Sequence, residues 1–175
     1  MFKRIPLLLR ILIIQILFLI LHYLYDWFPS SFTSIFSGID ESVYQHMKIG
    51  FFAFTIFIII EFFITRKNIN NYEQHIFSRL FAATYFPLVM MVIYLLGPLV
   101  FGRVYNIVIE ILFANIALIG TTLATLILQD QISKINPGNG FRFVTIALFI
   151  LSIIQFLSFT SELPWFDIFA IPPGY

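Results

Sequence analysis

Residues 7–27 read LLLRILIIQILFLILHYLYDW. Leu7 to Tyr25 is almost continuously apolar. At about 1.5 Å of rise per residue, a helix of this length crosses the roughly 30 Å hydrocarbon core of a bilayer. A secretory signal would show a shorter apolar core and a small-residue cleavage site. This run ends instead in His22-Tyr23-Leu24-Tyr25-Asp26-Trp27. It predicts an uncleaved transmembrane helix over about residues 5–27. Tyr23, Tyr25, Trp27 and Phe28 would form an aromatic belt at the far interface.

Outward from this segment the pattern repeats. Apolar stretches predict further spans at about residues 44–65, 77–101, 105–129 and 141–159. Arg66 to Asn71, a short connection at Arg103 and the turn signal Asn136-Pro137-Gly138-Asn139-Gly140 separate them. Pro87 predicts a kink in the third span, and Gly97-Pro98 its end or a second bend. Residues 160–175 contain Pro164, Pro172 and Pro173 and are expected to form a non-spanning external tail. The fold class is therefore all-α: one polytopic domain over residues 1–175, a bundle of five transmembrane helices.

Composition points the same way. Hydrophobic residues make up 60% of the chain and charged residues 11%, against about half and a quarter in soluble domains. The mean hydropathy is +0.96. A net charge of +1 gives no electrostatic basis for a nucleic-acid partner. The lipid bilayer is the partner implied, and oligomeric state is left open. There are no cysteines, which removes disulfides, thiolate metal sites and thiol nucleophiles.

Five spans put the termini on opposite sides. Lys3, Arg4, Arg10, Arg66, Lys67, Arg79, Lys134 and Arg142 then share the N-terminal side, with Lys48 and Arg103 opposite. The positive-inside rule predicts a cell-membrane protein with a cytoplasmic N-terminus and an external C-terminus. Residues 26–48 and Glu110 fall on the external side.

The polar groups of that side concentrate in Asp40-Glu41-Ser42-Val43-Tyr44-Gln45-His46-Met47-Lys48. Asp40 is a suitable N-cap for the second span, and Glu41 suits its first turn. Inward stripes of small and polar residues are expected on four spans, because lipid does not drive helices together hydrophobically. One carries Gln15, His22 and Asp26, another Glu110. They predict a polar pocket open to the outside, closed below by apolar packing. Candidate ligand-binding residues are His22, Asp26, Glu41, Tyr44, His46, Lys48 and Glu110.

His22 and Asp26 are four apart and share a helical face, so the carboxylate would hold one imidazole tautomer or merely form a structural bond. Glu41 and His46 on one continuous helix would point about 140° apart and could not chelate one ion together. A metal would have to draw ligands from several helices, His22 or Asp26 with His46 or Glu110. The sequence requires no cofactor; histidine and carboxylate ligands alone would suit zinc or a similar ion. Lys48 and Arg103 are the expected partners of Glu110. Glu61 with Arg66 or Lys67 reads as an ordinary interfacial pair.

Residues 40–48 resemble a segment, Asn-Glu-Ser-x-Trp-Glu-His-x-Lys, of a family of small prokaryotic multi-pass membrane proteins of uncharacterised activity. Glu41, Ser42, His46 and Lys48 match it; Asp40, Tyr44 and Gln45 replace its Asn, Trp and second Glu. The resemblance extends to His22-Tyr23, Asp26-Trp27, Leu163-Pro164-Trp165-Phe166 and Pro172-Pro173-Gly174-Tyr175. It implies a multi-pass fold and no particular activity, and Gln45 departs where a second acid would stand.

Three functions fit these residues. One is a binding protein whose outward pocket holds a small ligand, lipid headgroup or ion. Another is a membrane-embedded enzyme using His, Asp and Glu for acid-base or metal chemistry. The third is a structural or accessory subunit of a membrane complex. No Walker loop, dinucleotide fingerprint, zinc-protease motif or nucleophile elbow is present. The lack of an inverted repeat argues against a stand-alone transporter.

Overall fold

A computed structural model of the chain describes residues 5–102 and 106–160. Arg103 and the tail from residue 161 lie outside the described residues. The protein is an all-α multi-pass bundle. Five helices are long and apolar enough to cross a membrane: α1 (Leu7–Trp27), α3 (Val43–Thr65), α4 (Tyr72–Phe101), α5 (Ile107–Ile132) and α6 (Asn139–Ser158). Between α1 and α3, outside the expected spans, lies a short helix, α2 (Ser31–Phe36). Ser30 and Thr33 form a reciprocal capping box that starts it.

One expectation needs correction. Helix α3 is capped by Ser42, not Asp40: the Ser42 hydroxyl accepts from Gln45 N–H at 3.3 Å. Asp40 Oδ1 accepts from Ser42 N–H at 2.8 Å and so holds the cap rather than being it. Helix α4 begins at Tyr72 behind an Asn71 cap and continues through both Pro87 and Pro98 to Phe101, so Gly97-Pro98 does not end it. Gly102, at φ +67°, ends it, in the left-handed region that glycine enters without penalty.

Helix α3 is the hub. Of its most apolar window 61% is buried inside the protein, against 11–33% for the other four spans. Its phenylalanines pack on three neighbours: Phe54 faces Phe86 of α4 at 5.1 Å between ring centroids, Phe51 faces Phe156 of α6 at 5.2 Å, and Phe52 faces Phe36 of α2 at 5.1 Å. Gly50 permits the close approach of α4, since a Cβ there would stand 2.9 Å from Phe86 Cε1. A small residue at the crossing is what packing in lipid favours.

The antiparallel arrangement gathers charge at one end of the bundle. Arg10 Nη1 donates to Asp130 Oδ2 at 2.9 Å and Oδ1 at 3.2 Å. Its Nε lies 3.4 Å from Glu61 Oε1, and Arg79 Nε donates to Glu61 Oε2 at 2.8 Å. Arg10 and Glu61 are each only 3% exposed. Glu61 is therefore paired with Arg10 and Arg79 of other helices, and not with Arg66 or Lys67 beside it. Two arginines and two acids balance, as buried charges in an apolar medium must.

Candidate functional site

The opposite end carries His22 on α1 and His46 in the first turns of α3. Their Nε2 atoms face each other at 3.3 Å. Glu41 Oε2 completes the group, 3.4 Å from His46 Nε2 and 3.6 Å from His22 Nε2. The expectation that Glu41 and His46 diverge fails for a local reason. It assumed a helix running through Glu41, but the cap is Ser42, with extended backbone at ψ 153°. Glu41 thus precedes the helix and turns back over it.

The chain before Glu41 is fastened to α1. The buried Ser37 hydroxyl accepts from Tyr25 N–H at 3.0 Å and donates to Leu21 C=O, two groups that an undisturbed helix pairs with each other. Lys48, fully buried, donates from Nζ to Ser34 C=O of α2 at 2.8 Å. These bonds hold the connection from α1 to α3 against both helices and so deliver Glu41 to the histidine pair.

His46 is oriented by its second ring nitrogen. Nδ1 stands 2.8 Å from the Ser42 carbonyl oxygen, which can only accept, so Nδ1 carries the hydrogen and, in the neutral ring, Nε2 presents a lone pair to the cluster. Phe18 stacks on His46 at 6.5 Å between centroids and also touches the His22 ring at 6.2 Å. The His22 imidazole first, and His46 after it, hold the Glu41 carboxyl below its usual range, while partial burial works the other way.

All three groups line one cavity of about 320 Å³ between α1, α3, α4 and α5. Glu110, Tyr94 and Asn115 line it too; Met90, Met91, Ile111 and Leu118 supply apolar wall. Asn115 Oδ1 accepts from Gln15 Nε2 at 2.9 Å, tying α1 to α5 at mid-bundle. The cavity is thus polar toward one end and apolar along its sides.

The remaining sequence candidates lie elsewhere. Asp26 is exposed and makes no bond to His22; the carboxylate beside His22 is that of Glu41. Tyr44 is fully buried, donates to Gln155 C=O of α6 at 2.9 Å and packs on Phe156. It joins helices and is not part of the cavity wall. Lys48 reaches neither Glu41 nor Glu110, and Glu110 has no ion pair among the described residues. The residues the sequence did not single out are Met90, Met91, Tyr94 and Asn115. Nothing in their spacing marks them, because they meet the histidines only through tertiary packing.

Residue types, separations and shared exposure to one cavity make His22, Glu41 and His46 the groups able to hold a cation or a polar ligand head. No family model, no curated protein and no solved structure matches the chain.

Proposed function

We propose that the protein binds an amphiphile in the membrane. Its polar head would rest against His22, Glu41, His46 and Glu110, and its apolar part between Met90, Met91, Ile111 and Leu118. The observation that carries this reading is the two-sided character of the cavity, with titratable groups at one end and aliphatic and thioether side chains along the walls. A volume of about 320 Å³ falls within the roughly 300–1,000 Å³ range of small-molecule sites. The charge asymmetry of the loops supports an orientation with the N-terminus cytoplasmic and the cavity toward the outside.

A dansyl-labelled fatty acid added to the detergent-purified chain tests this. Saturable fluorescence enhancement is expected. Ala114→Trp and Met91→Trp, which fill the cavity, should weaken binding by about tenfold or more, a change of roughly 1.4 kcal/mol or more. Equal binding by wild type and both variants would defeat the reading. The convergence of two imidazoles and a carboxylate also favours a second reading, acid-base or metal chemistry on the bound molecule.

A further inference from the structure

We propose that His22 Nε2, His46 Nε2 and Glu41 Oε2 form three of the four ligands of a tetrahedral divalent metal site of the zinc type. The three atoms stand 3.3, 3.4 and 3.6 Å apart. Zinc binds imidazole nitrogen and carboxylate oxygen at about 2.0–2.2 Å. Tetrahedral angles at that bond length separate the ligand atoms by about 3.3–3.6 Å. The three observed edges are one face of such a tetrahedron. A two-histidine, one-carboxylate triad can also hold iron in octahedral geometry. Right angles at the same bond lengths would bring the edges down to about 2.8–3.1 Å, shorter than all three. The spacing lies nearer the tetrahedral edges than the octahedral ones.

The chemistry of the donors points the same way. His46 Nδ1 gives its hydrogen to the Ser42 carbonyl, so Nε2 offers a lone pair. A backbone carbonyl on the far nitrogen is the usual device that fixes a metal-binding imidazole. Glu41 offers only acceptor oxygens when ionised. Lone pairs from His46 and Glu41 therefore meet at 3.4 Å. A single hydrogen on His22 Nε2 could satisfy only one of them well, whereas a cation satisfies all three atoms. The fourth vertex is left to water or to a polar group of whatever occupies the cavity, the arrangement of an open site rather than a closed structural one. The site rests on these three atoms and not on the identity of the cavity's occupant.

The test uses the full chain, purified in detergent through a tag without histidine and dialysed against metal-free buffer. Titration with Co²⁺ should give the intense visible bands of four-coordinate cobalt at one ion per chain, and Zn²⁺ should displace it. His22→Ala and His46→Ala should abolish the bands. Glu41→Gln should weaken binding by about tenfold or more, the least effect seen when even an outer-shell partner of a metal ligand is lost. Asp26→Asn should leave binding unchanged. If an alanine variant does not fold, Glu41→Gln carries the test, since its side chain is 41% exposed and the substitution keeps its size, so the bundle should still fold. A wild-type protein that gives only the weak bands of six-coordinate cobalt, or binding that survives Glu41→Gln and both histidine substitutions, overturns the proposal. Failure of the fatty-acid titration with an intact cobalt spectrum would remove the amphiphile reading alone.

Discussion

Arg10 and Asp130 are 120 residues apart in sequence and 2.9 Å apart in the bundle. Their pairing joins α1 to α5. Through the 3.4 Å approach of Arg10 to Glu61 and the 2.8 Å bond of Arg79 to Glu61, it draws in α3 and α4 as well. Four of the five long helices are thus closed at one end by a neutral group of four charges.

Removing Glu61 leaves the half-buried Arg79 without an acid among the described residues and the buried Arg10 with Asp130 alone. Glu61→Gln is expected to destabilise the protein by about 3–5 kcal/mol, the cost of breaking a buried pair. Arg66→Ala and Lys67→Ala, on exposed residues, should each stay within about 0.5 kcal/mol. Thermal unfolding in detergent measures both; equal effects at the three positions would mean that the network contributes nothing.

Gly50 sets the distance between α3 and α4. A methyl group there would press on Phe86, a fully buried ring, and lie 3.3 Å from Met90 Sδ. Gly50→Val should cost about 1–3 kcal/mol through overpacking and also narrow the cavity that Met90 lines. Unfolding and fatty-acid titration of the same variant read the two effects separately. A variant as stable as wild type would show that the helices can part without loss.

Ser37→Ala separates the fastening from the site. Without the hydroxyl, Tyr25 N–H and Leu21 C=O can pair with each other, so the stability loss should be small, about 0.5–1.5 kcal/mol. Glu41 loses its tether, and Co²⁺ affinity should fall by about tenfold. Unchanged cobalt affinity would mean that Glu41 is positioned by its own cap alone.

Orientation is read from single cysteines, which the cysteine-free chain makes unambiguous. An impermeant thiol reagent on intact cells should label Ser31→Cys and reach Asn70→Cys only after permeabilisation. Both positions are exposed and lie at opposite ends of α3. Labelling of Asn70→Cys in intact cells would invert the proposed topology.

Hydropathy made the five spans readable because each is a continuous apolar stretch of membrane length. Their ends moved by a few residues where caps compete. At the start of α3 that competition mattered. Asp40, Ser42 and Glu41 are all acceptable near a helix N-terminus, and the choice of Ser42 moved Glu41 from a diverging face to within 3.4 Å of His46. His22 and His46 were legible as candidates, but not as a pair, since a sequence states a helix's faces without stating its neighbours. Asp26 illustrates the converse: correct helical spacing from His22, but a side chain turned to the surface. The charged group at the other end was hidden for the same reason. Arg10 inside an apolar run signals that some acid must answer it; which acid depends on how α1 meets α3 and α5.

The Ser37 hydroxyl fixes how much chain lies between α1 and the carboxylate of the triad, Glu41. From Tyr25 to Glu41 the polypeptide works as a ruler, zeroed on α1 by one side chain. Lengthening it by a residue between Ser37 and Glu41 would leave all five spans and both imidazoles in place. It would still carry the carboxylate past them. Selection on the length of that interval, rather than on its composition, is the trace such a device would leave.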